Sequence, residues 1–159
     1  MSYEEIFDCD VTSKGCKGGE VTKILGYGKR KGFIEESCYP NPGTCPEDHF
    51  LMNSCRSEKN VFRVIDHCLA EGVSGVQREI MKNGPVLAMI TPFTDFLTFS
   101  DGTYMRTNDA FKLQGNHVVK VLGWENVKGN DAWIIENTWG EDWGQNGYGR
   151  ISFGETMID

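Results

Sequence analysis

Two stretches decide how this chain folds: Asn116-His117-Val118-Val119-Lys120-Val121-Leu122-Gly123-Trp124, and Ala132-Trp133-Ile134-Ile135-Glu136-Asn137-Thr138-Trp139-Gly140-Glu141-Asp142-Trp143-Gly144-Gln145-Asn146-Gly147-Tyr148. Each opens with a β-prone apolar run, and Lys128-Gly129-Asn130 between them has the residue types of a hairpin tip. Antiparallel pairing across that tip returns the end of the second run to the start of the first. His117 opens one strand and Asn137 follows the other, so the two side chains can meet.

Outward from this hairpin, Val86 to Ile90 and Tyr148 to Phe153 are further apolar runs bounded by Gly, Asn and Asp. Together the four runs predict antiparallel strands curling into a small barrel. Before them, Val76, Ile80 and Met81 space helically, Ser74 can cap the start, and Asn83-Gly84-Pro85 ends the helix with a left-handed-tolerant pair and a breaker. Earlier still, Asp8 to Gly19 is too rich in Gly and Asp for regular structure, and Glu20 to Arg30 places Val21, Ile24 and Leu25 on one helical face, with Gly32 as its stop. Cys38 to Asn60 reads as an irregular loop. The fold class is therefore α+β: a partial helical, disulfide-rich lobe over residues 1–75 and a β-barrel-like lobe over 76–159.

Lys+Arg is 16 against 23 Asp+Glu, a net charge of −7, which argues against nucleic acid or an anionic membrane as partner. No run approaches the roughly 18 to 20 apolar residues that cross a bilayer, and the acidic first ten residues do not read as a secretory leader. All six cysteines fall in the first 68 residues. A disulfide-stapled segment in an oxidising compartment is the leading reading. Structural zinc is the rival, since His49 and His67 lie among them, but no Cys-x-x-Cys pair seeds such a site, so no metal or cofactor is expected.

A His beside an Asn is by itself most often a satisfied core pair. Here the surrounding words closely resemble the His and Asn signatures of the papain-like cysteine peptidases. Asp8-Cys9-Asp10 with Gly15-Cys16-Lys17-Gly18-Gly19 resembles the same family, and Lys82-Asn83-Gly84-Pro85-Val86 is similar to its cathepsin B and X branches. The likeness covers about residues 8 to 35 and 76 to 153. It implies peptide-bond hydrolysis through an acyl-thioester, with a thiolate nucleophile, an imidazole that moves the proton and a third group that orients the imidazole. Carried over, His117 is the acid and base, Asn137 its orienting partner and Trp139 the indole shielding their hydrogen bond. Gly18 and Gly19 match the glycines whose backbone pairs with an extended substrate, and Trp143 is packing before it is chemistry; Asn116 before the histidine departs from the family's pattern and is expected to border the substrate. The resemblance also suggests a Cys9–Cys55 bridge, a weaker Cys38–Cys45 one, a partner for Cys16 next to the nucleophile, and a lysosomal, vacuolar or secreted location.

The nucleophile of this family sits in Cys-Gly-Ser/Ala-Cys-Trp/Tyr, about 130 to 150 residues before the His and Asn. Counting back that far from His117 passes Met1, and none of the six cysteines stands in that word. The oxyanion-hole glutamine is expected upstream as well. The chain alone is thus expected to be inactive, with a second polypeptide supplying the missing segment for a peptide or protein substrate, or else to be a shortened, catalytically silent relative kept for binding. Met1 leans toward the shortened relative. A generic disulfide-rich binding domain is the remaining reading.

Overall fold

The computed structural model describes residues 1–10, 12–40 and 61–158. Cys45, Cys55 and most of the expected Cys38–Asn60 loop lie outside the described residues, as does the side chain of Cys16; each expected disulfide therefore has a member outside them. Two units divide the chain, Met1–Cys68 and Leu69–Asp159.

In the first unit, helix α1 spans Glu4–Cys9, its last two residues entering the Asp8–Gly19 stretch expected to be irregular, and a 3-10 turn spans Gly15–Lys17 within that stretch. Ser2 explains the helix: its Oγ accepts the Glu5 amide at 3.1 Å and donates to the Tyr39 carbonyl at 2.6 Å, giving the first turn a partner for one of its orphan N–H groups. Helix α2 (Val21–Arg30) starts after Glu20, as the periodicity predicts, and the chain leaves it through Gly32 at φ 80°, a conformation glycine adopts without strain. Strands β1 (Phe33–Ile34) and β2 (Val61–Phe62) pair antiparallel. The α2 face that packs inward is Tyr27 and Gly28, whereas Val21, Ile24 and Leu25 are half-buried. Gly28 is required by contact: a Cβ there would lie 2.4 Å from the Phe33 ring.

The second unit opens with α3 (Gly72–Asn83), which begins two residues before the expected Ser74. Glu71 occupies the N-cap without a side-chain cap bond and Gly72 takes φ 68°, so Ser74 lies within the first turn and is not the cap. The other end is as predicted: Gly84 at φ 91° closes the helix by donating its amide to the Ile80 carbonyl at 2.9 Å. Next come β3 (Val86–Ile90), β4 (Thr103–Tyr104), β5 (His117–Val127), β6 (Asn130–Glu136) and β7 (Tyr148–Ser152). They lie in the order β3-β5-β6-β7-β4, antiparallel except for β4 beside β7. The α+β expectation holds; among the described residues the sheet is open, with β3 and β4 as edges. The β5–β6 hairpin turns on Lys128 (φ 52°) and Gly129 (φ 93°), a pair of positive angles whose twist suits a two-residue hairpin.

Alternation sorts the sheet into two faces. Val86, Ala88 and Ile90 of β3 oppose Val121, Val119 and His117 of β5, and Val121 opposes Ile135 of β6, which opposes Gly149 of β7. This row is the core face: Ile90, Val119, Val121, Trp133, Ile135 and Ile151 are all buried. Leu87, Met89, Lys120 and Glu136 take the other face, where the Lys120 ammonium meets Glu136 at 2.5 Å. A bulge at Leu122 adds one residue to β5 between the Val121–Ile135 and Gly123–Ile134 pairs. That extra residue lets Trp124, of opposite parity to Val119 and Val121, also pack against the core opposite Trp133.

Over this face lies an aromatic layer. A 3-10 turn at Thr94–Thr98 sets Phe96, fully buried, among Tyr104, Trp139 and Trp143. Trp143 packs against Gly149, where a Cβ would come within 2.9 Å of the indole and 3.2 Å of Phe99. Gly149→Ala is therefore expected to cost about 1–3 kcal/mol, as overpacking does; thermal unfolding of the variant checks it, and an unchanged midpoint would contradict the packing described.

Asp95 fixes the far end of that layer. Its carboxylate accepts the Tyr104 hydroxyl at 2.7 Å and the Thr107 amide at 2.8 Å. Burial pushes this carboxyl up, but the bonds from Thr107 and Tyr104 outweigh it and hold it below the usual carboxylate range. A carboxyl depressed on folding stabilises above its unfolded pKa of about 3.9, and that contribution is lost as pH falls through the folded value. Stability of Asp95→Asn is thus expected to fall short of the parent's at neutral pH, with the gap closing below about pH 4; denaturant titrations at pH 7 and pH 3 measure it.

Candidate active site

His117 and Asn137 share the core face by parity, each one step beyond its buried strand neighbours. With Val119 as the position that would face Asn137 in continued register, the two side chains are diagonal neighbours, a separation long polar groups bridge. They do so: His117 Nε2 lies 2.7 Å from Asn137 Oδ1. The same oxygen accepts the Thr138 amide at 2.8 Å. This second donor settles the amide's orientation, because reversing it would point an NH2 group at an N–H. An oxygen facing the ring requires the proton on Nε2, so neutral His117 keeps its lone pair on Nδ1. Asn137 is 7% exposed and His117 half-buried, an environment in which such a bond is stronger than in water.

Trp139 roofs the pair. Its indole stacks on the imidazole with ring centroids 4.6 Å apart and planes at 27°. The loop from Asn137 to Tyr148 is held by its own backbone: the Asn137 amide donates to the Gly147 carbonyl, the Gly147 amide to Trp143 and the Gln145 amide to Tyr148, each at 2.8 Å. Gly144 at φ 61° sits against Tyr148, where a Cβ would be 2.3 Å from the carbonyl oxygen. Trp143 is buried, with its indole N–H donating to the Phe96 carbonyl at 2.8 Å, which makes it packing.

The structure brings His117, Asn137 and Trp139 together. Asn116 is exposed beside them, with its side-chain nitrogen 3.5 Å from Met89 Sδ. Gly18, Gly19 and Cys9 belong to the first unit, and Cys55 lies outside the described residues. Gly18 has φ 102°, open only to glycine in practice, and a Cβ on it would meet nothing within 4 Å, so its outer side is clear. Missed from sequence were Asp95, Phe96 and Tyr104, whose ring and carboxylate contacts carry no local signature. Among the described residues no cluster of His, Cys, Asp and Glu is placed to hold a metal, and no helix is long and apolar enough to cross a membrane.

The 15N chemical shifts of His117 at neutral pH are expected to report the Nε2-protonated tautomer, and Asn137→Ala to lose that preference. A dominant Nδ1–H form in the parent chain would contradict the bond described.

A model of the papain family of cysteine proteases matches residues 1–158. The chain is 43% identical over 184 aligned residues to cathepsin B-like cysteine proteinase 1 of Ostertagia ostertagi, covering 97% of the chain and 53% of that relative. To cathepsin B of Dictyostelium discoideum it is 31% identical, covering 99% of the chain and 56% of the relative. Procathepsin B S9 of Trypanosoma congolense superposes with a TM-score of 0.85 at 28% identity, over 99% of this chain and 57% of that one. The chain thus spans about half the length of the curated relatives it matches. Its fold, its His–Asn pair and these likenesses agree: the chain belongs to the papain family of cysteine proteases and is similar to the cathepsin B-like members.

Proposed function

We propose that this chain supplies the proton-transfer half of a thiol peptidase site, with the thiolate and the oxyanion-stabilising glutamine contributed by a segment outside these residues. A second polypeptide carrying that segment would be the partner, and peptides or proteins the substrate. The reading rests on the bond from His117 Nε2–H to Asn137 Oδ1, 2.7 Å long, which leaves Nδ1 as the nitrogen able to exchange a proton.

From that tautomer the chemistry follows. A neighbouring thiol loses its proton to Nδ1, giving a thiolate beside an imidazolium, and the thiolate attacks the peptide carbonyl. Nδ1–H then protonates the departing amine, which leaves an acyl-thioester and a neutral imidazole. Nδ1 next takes a proton from water as hydroxide adds to the thioester, and returns it to the thiolate leaving group. Asn137 keeps the ring in plane throughout, and Trp139 keeps water from the Nε2–H bond. Gly18 and Gly19 would pair with an extended peptide backbone, and Asn116 would border the substrate. A Cys9–Cys55 bridge would place the protein in an oxidising compartment, lysosomal, vacuolar or extracellular.

The alternative is an inactive family member used for binding, in which no thiol reaches His117. Co-expression with a cathepsin B-type segment bearing Gln and Cys-Gly-x-Cys-Trp separates the two. The assembled protein is expected to hydrolyse a fluorogenic dipeptide amide and to be blocked by an epoxide thiol inhibitor. His117→Ala should abolish turnover while leaving the unfolding midpoint nearly unchanged, since the ring is only half-buried. An assembly that binds the segment yet never turns over would favour the binding reading; hydrolysis by the chain alone would contradict the need for an outside thiol.

A further inference from the structure

Stacking alone does not hold an indole over an imidazole. Trp139 follows Asn137 by two residues on a glycine-rich loop, and its exposed edge faces solvent. Two buried rings pack edge-to-face against it: Phe96, at 5.7 Å and 70°, and Trp143, at 6.0 Å and 90°. Phe96 in turn packs edge-to-face against Tyr104, at 4.8 Å and 77°. Tyr104 cannot swing away, because its hydroxyl donates to Asp95 Oδ1 at 2.7 Å, while Asp95 Oδ2 accepts the Thr107 amide at 2.8 Å. Asp95 is the residue next to Phe96, so the clasp closes back on the same turn.

A second set of bonds ties this turn to the loop carrying Trp139. The Phe96 carbonyl accepts the Trp143 indole N–H at 2.8 Å, and the Phe99 carbonyl accepts the Gly144 amide at 3.0 Å. The turn's ring and its carbonyls therefore act on one loop, the ring on Trp139 and the carbonyls farther along.

We infer that Asp95, Tyr104 and Phe96 are positioning residues for the His117–Asn137 pair: the Asp95–Tyr104 hydrogen bond locks Phe96, and Phe96 holds the Trp139 indole down on the imidazole. None of the three shares a hydrogen bond or ring contact with His117, whose partners are Asn137 and Trp139. Their effect is transmitted through Trp139, by keeping water from the Nε2–H bond and the imidazole ring from rotating out of line. This deepens the proton-transfer role proposed for His117, and its test needs no turnover, so the two can fail separately.

The test uses the 159-residue chain labelled with 15N-histidine, comparing the parent with Tyr104→Phe and Phe96→Leu, and with Leu97→Ala as a neighbouring control at an exposed position. Tyr104→Phe keeps the ring and removes only the hydroxyl. Its His117 Nε2–H is expected to exchange with water about fivefold faster, the factor corresponding to the net worth of one hydrogen bond. Phe96→Leu should accelerate exchange by about tenfold or more and remove the ring-current shift that Trp139 imposes on His117 Hε1, as a lost aromatic contact implies. Leu97→Ala should leave both signals in place. In the assembled enzyme Tyr104→Phe should lower kcat with KM unchanged. If the unfolding midpoint falls while His117 exchange and Hε1 shift stay at parent values, the role is only structural and the inference is overturned. Should Phe96→Leu fail to fold, the isosteric Tyr104→Phe decides alone by the same signals.

Discussion

Everything at the site depends on the register of β5 against β6. A strand's side chains alternate, so a slip of one residue would turn His117 to the outer face and leave Asn137 without it. The register is fixed by what it buries: Val121 faces Ile135 and Trp124 faces Trp133, with the bulge at Leu122 absorbing the parity conflict between them. The same constraint sends Lys120 and Glu136 outward as an ion pair. Burial of the aromatic and branched core residues thus determines that an imidazole and an amide meet at the sheet's end.

Having been brought together, the two groups are given one state. Thr138 supplies the backbone donor that orients the Asn137 amide, the amide selects the imidazole tautomer, and Trp139 covers the bond between them. A proton acceptor results at Nδ1 with no charged partner needed to hold it. That arrangement suits the proposed role of taking a proton in one step and giving it in the next, because a neutral orienting amide does not trap the imidazolium.

Much of this was legible in the residues. The hairpin with its two runs, the strand from Val86 to Ile90, the end of α3 at Gly84 and the pairing of His117 with Asn137 follow from alternation, turn chemistry and two signature words. The start of α3 was not legible: Ser74 is a better cap by type than Glu71, and the backbone of Gly72 at φ 68° overrode it. Helix α1 has a capping pattern in Ser2-Tyr3-Glu4-Glu5, but at six residues it is too short to show a helical period; the structure uses the Ser2 half of that pattern. Strand β4 beside β7, and the grouping of Phe96 with Tyr104 and Trp139, depend on contacts between segments far apart in sequence, which no local period encodes.

The central claim is that His117, held by Asn137, serves as the proton partner of a thiolate. The most direct measurement is the rate at which the nucleophilic thiol of the assembled protein reacts with a disulfide probe as a function of pH, with and without His117→Ala. The account predicts a thiol that stays reactive well below the ordinary cysteine pKa of about 8.5, and loses that acid reactivity in the variant. A thiol that titrates near the ordinary value in both proteins would contradict it.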